Sequence, residues 1–120
     1  MAARTVILLK RTYEPPNDED GQRILVERLW PRGISKEKLR LDHWAKQIAP
    51  SPGLRTWYGH EPARWEQFQQ RYRRELEANI EEVADLAHRI EHQTASFLFA
   101  ARDEERNSAV VLRAYLLERI

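Results

Sequence analysis

The sequence predicts an α/β domain in which a mainly parallel sheet of three or four strands is flanked by helices, and three observations lead there. Short continuous apolar runs stand near the start and again from residue 95, as expected of strands buried on both faces. From Pro62 the apolar period changes to three- and four-residue steps, which is helical. Strands alternate with helices, the order that builds a parallel sheet through helical crossovers. At 120 residues the chain suits one core and is too short for two, so residues 1–120 are expected to form a single compact domain.

In chain order, Val6-Ile7-Leu8-Leu9 is the first strand. EPPNDEDG, residues 14 to 21, is a turn-rich connection with room for one helical turn at its end, and its carboxylates are expected to be solvated because they lack calcium-loop spacing. A second strand covers about Arg23 to Leu29. Ser35 is a good N-cap for a short helix over Lys36 to Leu41. Residues 43 to 49 allow a further short strand. Ser51-Pro52 reads as N-cap and first helical position, with Gly59 as the stop after Tyr58. Trp65, Phe68, Tyr72, Leu76, Ile80, Val83, Ala87 and Ile90 then mark one long amphipathic helix, or two with a break near Asn79. A third strand over Ala95 to Ala100 and a helix over about Arg106 to Glu118 complete the order.

Composition excludes several kinds of chemistry. Cysteine is absent, which removes thiol nucleophiles, disulfides and thiolate zinc sites. The four glycines, at 21, 33, 53 and 59, form no phosphate-binding or dinucleotide fingerprint, and no serine sits in a nucleophile elbow. His88 and His92 share a helix face, but without a third ligand they read as a solvated face. The motifs imply neither metal nor cofactor. No apolar run is long enough for a membrane span and Met1-Ala2-Ala3-Arg4 leads directly into a strand, so a cytoplasmic location without membrane association is expected. Net charge is only +1, with the first half basic and the second acidic.

Parallel strands give the charged residues a geometry, because ligands in open α/β sheets bind beyond the carboxyl ends of the strands. The three strands emerge at Lys10-Arg11, at Arg28-Leu29-Trp30-Pro31-Arg32 and at Arg102-Asp103, and a helix N-terminus after Asp103 would add partial positive charge. In one reading Arg28, Arg32 and Arg102, with Lys10 and Arg11, hold a small anionic or phosphorylated ligand against Trp30. Asp103 would be a general base or the partner that orients an arginine, and Asn107 a neutral hydrogen-bonding group one turn into the helix. His60, in TWYGHEP, is either a surface turn residue or a general acid or base. In a second reading the basic first half, with Trp30, Trp44 and Trp57, binds nucleic acid or serves a regulatory partner. In a third, the acids at 103 to 105 neutralise Arg28 and Arg32, and the edge is a structural ion-pair network.

VERLWPRG (26 to 33), LDHWAKQIAPS followed by LRTWYG, and AARDEERNSAVVL (100 to 112) together resemble the YeaO-like proteins, a bacterial and archaeal group known as domain of unknown function 488. The resemblance runs nearly end to end from KRTYEPP. It implies a compact α/β fold whose second strand ends in Arg-x-x-Pro, matched by Arg28-Leu29-Trp30-Pro31, and it implies no reaction. This sequence departs from the family pattern in having Glu27 for an aspartate and Phe99 for a tyrosine. Arg106 stands where histidine is sometimes found.

Overall fold

A computed structural model describes residues 4–120; Met1–Ala3, read above as leading straight into the first strand, lie outside the described residues. Four strands, β1 (Val6–Arg11), β2 (Gln22–Leu25), β3 (His43–Trp44) and β4 (Thr94–Phe99), form one sheet in the order β1-β4-β2-β3. Every pairing is parallel: Val6 lies opposite Thr94, Gln22 opposite Ala95, and Ile24 opposite His43. The expected α/β class is therefore the observed one. Among the described residues five α-helices accompany the strands: α1 (Lys36–Leu39) between β2 and β3, α2 (Pro52–Tyr58), α3 (Trp65–Ala78) and α4 (Ile80–Ile90) between β3 and β4, and α5 (Ser108–Leu117) after β4.

β4 is central, and its TASFLF is buried from Ala95 onward because both faces are covered. On one face Ile7, Ile24, Val26, Ala95, Phe97 and Phe99 meet the apolar stripes of α2 to α5 in the main core. On the other face Leu25 and Leu98 lie beneath Leu39 of α1, with Trp30, Ile34, Leu41 and Trp44 packed around them. The part of this second face around Lys10, Arg23 and Ser96 is covered by the connection between β1 and β2, while Val6 and Leu8 on it stay exposed. Glu14, Asp18 and Glu19 of that connection are exposed, as expected, and Asp20 departs from the expectation of solvated carboxylates. Asp20 is 5 % exposed. It accepts from Lys10 Nζ at 2.9 Å and from Arg23 Nη1 at 2.6 Å, and its carbonyl accepts from Ser96 Oγ on the central strand. Two cations projecting from a sheet face need a buried counter-charge, and the loop brings one.

Local boundaries differ from the sequence reading for identifiable reasons. β2 stops at Leu25 rather than Leu29: Val26 still donates to the Leu98 carbonyl, and the chain then leaves the ladder. The short strand allowed at 43 to 49 is two residues long, followed by a 3-10 turn at Lys46–Ile48. The helical stretch breaks at Asn79, whose φ of −113° and ψ of 47° are not helical and whose side chain donates to the Gln47 carbonyl. α5 begins two residues later than Arg106, because Asp103 binds the Glu105 and Arg106 amides and keeps that segment in a turn. No helix among the described residues is long and apolar enough to cross a membrane.

A candidate ligand-binding cleft at the strand ends

Because all strands run the same way, the exits of β1, β2 and β4 share one edge of the sheet. A cleft of about 520 Å³ opens there, within the usual range for small-molecule sites. Glu27 and Arg28 enter from the β2 exit, Arg55, Tyr58 and His60 from α2 and its following turn, and Ala100 to Asp103 from the β4 exit. Ala49, Pro50 and Phe68 supply apolar wall, and Asn107 and Ser108 close it at the start of α5.

Local chemistry explains why these groups sit where they do. Ser51 caps α2 through the Leu54 amide, Pro52 occupies its first turn, and Gly59 ends it with a φ of 51°. His60 follows with a φ of 56°, which turns its ring toward Tyr58 at a centroid distance of 6.0 Å. Arg55 and Tyr58 are three apart on α2 and so share a face. Arg28 donates through Nε to Pro50 and through Nη2 to Ala49, fixing its guanidinium against the wall. From behind, Arg11 donates to the carbonyls of Ala100 and Ala101 and holds the β4 exit in place.

The polar groups divide into those already occupied and those open. Asp103 accepts the Glu105 and Arg106 amides and the Arg106 guanidinium; the Glu105 amide foremost, then Arg106, hold its carboxyl below the usual aspartate range. Tyr58 donates its hydroxyl to the Arg106 carbonyl, and burial pushes its ionisation up. Asn107 is the N-cap of α5 rather than a residue one turn into it, and both ends of its amide are engaged, with Val110 and with the Asp103 carbonyl. Glu27 is different. Its Oε1 accepts the Ala100 amide at 3.0 Å. Burial pushes its carboxyl above the usual glutamate range, more than the Ala100 amide, Arg55 and His60 pull it down. Arg55 and Arg102 are exposed, and their side chains make no hydrogen bond or ion pair among the described residues.

A raised Glu27 pKa means the folded state binds a proton more tightly than the unfolded chain. Its contribution to stability is then fully present below the ordinary glutamate pKa and is lost as pH rises through the raised one. Glu27→Gln is therefore expected to gain stability relative to the wild type across that interval, read by urea unfolding at pH 4 to 8. A difference independent of pH would show that Glu27 ionises alike in both states.

The structure thus gathers Arg28, Arg102, Asn107, Asp103 and His60 around one cleft and sends the other sequence candidates elsewhere. Lys10 is committed to Asp20 on the opposite face of the sheet. Trp30 lies on that face too, edge-on to Trp44 at 5.5 Å with its Nε1 on the Ile34 carbonyl. Arg32 is exposed and outside the cleft. Among the described residues the acids at 103 to 105 form no ion pair with Arg28 or Arg32; Asp103 pairs with Arg106. Trp57 lies beneath the guanidinium groups of Arg64 and Arg71. Sequence pattern alone does not single out Glu27 or Arg55 as cleft residues, although each stands inside a motif noted above and Arg55 is one helical turn before Tyr58. Among the described residues no group of three or more His, Asp or Glu is arranged to hold a metal ion.

Fold and cleft together define a small parallel α/β protein with a mixed polar site at its strand ends. The family model described as the inactive DUF488-N3 subclade matches residues 6–120, and the chain belongs to that family. The relationship expected from VERLWPRG and its companion motifs extends to individual proteins. The chain is 41% identical over 110 residues to the uncharacterised protein YeaO of Escherichia coli strain K12, covering 92% of this chain and 96% of that one. It is 38% identical over 116 residues to uncharacterised proteins of Mycobacterium tuberculosis and Mycobacterium bovis, covering 97% of this chain and 98% of each. No solved structure matches the chain.

Proposed function

We propose that the cleft binds a small anionic molecule and that the protein acts by binding rather than by turnover. The observation that carries this reading is the pair of guanidinium groups, Arg55 and Arg102, brought to one cleft from separate elements with nothing bonded to either. Arginine in that state suits a carboxylate or phosphate, and the fixed Arg28 adds a third positive charge. The matched subclade is described as inactive, which favours binding over catalysis. Asp103 and Tyr58 support the same view, since their hydrogen-bonding groups are engaged within the protein. No specific observation favours nucleic acid, because Trp30 and Trp44 pack on each other and arginines cover Trp57.

The test is thermal unfolding with inorganic phosphate, a panel of phosphorylated metabolites, and short DNA and RNA, at low and physiological salt. A small molecule at 100 times its dissociation constant should add about 2.7 kcal/mol. That gain should persist at physiological salt, disappear in the Arg55→Ala/Arg102→Ala double variant and survive in Arg32→Ala. Equal shifts in the wild type and the double variant would remove the two arginines from the site. Shifts with nucleic acid alone, vanishing with salt, would replace the proposal by the nucleic-acid reading.

A further inference from the structure

Resting on the cleft being an anion site, we infer that its ligand is an organic anion carrying a hydroxyl group, and that Glu27 accepts a hydrogen bond from that hydroxyl. The cleft holds two opposite kinds of charge. Arg28, Arg55 and Arg102 call for an anion, yet the Glu27 carboxylate lines the same space. A bare anion filling the cleft would meet Glu27 as a like charge at close quarters, in surroundings drier than bulk water. The ligand must therefore turn a hydrogen-bond donor toward Glu27 and its charge toward the arginines.

Glu27 is prepared for that donor. Its Oε1 is fixed by the Ala100 amide, so the carboxylate has a set orientation, and no other hydrogen bond to it is made among the described residues. An ammonium group would satisfy the carboxylate but would face three guanidinium groups, whereas a hydroxyl donates without adding positive charge. Between the two ends the walls are Ala49, Pro50, Phe68 and Ala101, which suit a short carbon frame. The class that combines these features is the hydroxylated organic anion, a polyol phosphate or a hydroxy acid.

Calorimetric titration at physiological salt with inorganic phosphate, n-propyl phosphate and glycerol 3-phosphate tests this, with propionate and glycerate run in parallel to tell a phosphate end from a carboxylate end. The wild type should bind the hydroxylated member of a pair about tenfold or more tighter than its plain counterpart, since a hydrogen bond to a charged group is at stake. In Glu27→Ala the two members should bind alike, with inorganic phosphate bound at least as well as before. Glu27→Gln keeps an acceptor for the Ala100 amide and serves if the alanine variant does not fold; there the preference should fall several-fold. Equal affinity within both pairs in the wild type, or a preference unchanged in the folded variants, overturns the role of Glu27 and leaves the anion site standing. Failure of every phosphate and carboxylate probe to bind removes both.

Discussion

Replacing Asp20 with alanine is expected to destabilise the protein by about 3–5 kcal/mol, the cost of leaving buried charge without its partner. Two cations are stranded at once. Arg23 has only 6% of its side chain exposed and cannot regain water without unfolding part of the face; Lys10, at 15%, loses its carboxylate partner as well. Arg23 keeps the Leu39 carbonyl through Nε and Nη2, but its guanidinium loses the one carboxylate it pairs with among the described residues. The Asn17 amide loses its acceptor as well, and with it the capping box that shapes the loop. Against a typical total of about 5–15 kcal/mol such a loss is large. Urea unfolding should show a lower midpoint with unchanged slope.

The same carboxylate carries a pH signature. Burial raises the Asp20 pKa, but the bonds from Lys10, the Asn17 amide and Arg23 together outweigh it, and the group sits below the usual aspartate range. A depressed carboxylate contributes stability that is present above the ordinary aspartate pKa and lost as pH falls through the lowered one. The gap between wild type and Asp20→Ala should therefore narrow at acid pH. A loss under about 1 kcal/mol at neutral pH, or a gap that does not narrow, would mean that the loop is held by something other than this charge cluster.

Gly21→Ala should be comparably damaging for a steric reason. Gly21 has φ 65° and ψ −140°, a backbone region close to glycine-only, and an added Cβ would fall 2.1 Å from the Thr94 carbonyl oxygen. The obstacle is backbone at the start of the central strand, paired there with Val6, so it cannot swing aside as a side chain would. Backbone strain plus overpacking comes to about 3 kcal/mol or more, and a fall in Tm of about 10 °C would be its calorimetric mark. Retention of the wild-type Tm would show that the loop can lift off the sheet at little cost, and would weaken the account of the loop as a packed cover over Lys10, Arg23 and Ser96.

Both predictions concern the segment whose role the sequence was least able to declare. EPPNDEDG reads correctly as a turn, since Asn17 and Gly21 announce one locally. That Asp20 turns inward depends on Lys10 and Arg23 reaching the same place from two strands that are not neighbours, because β4 lies between them. Pairing of this kind leaves no local trace.

What the sequence by itself determined is the parallel α/β order, the helix caps at Ser35 and Ser51, the stop at Gly59, and the strand-end edge as the place where polar groups would gather; it allowed a break near Asn79 without choosing it over one long helix. Those follow from periodicity and from short-range backbone chemistry, which a chain carries wherever it is folded. Only the tertiary structure decided which side chains share the cleft. Glu27 and Arg28 turn toward the helical layer, while Trp30, two residues beyond Arg28, packs on the opposite face beside Trp44. A strand's alternation stops where its ladder stops, and beyond Val26 the direction of each side chain is set by the turn and by what it packs against. Arg55 comes to the site for the same reason: a helix places it on a face, and the packing of α2 against α3 and the sheet turns that face to the β4 exit.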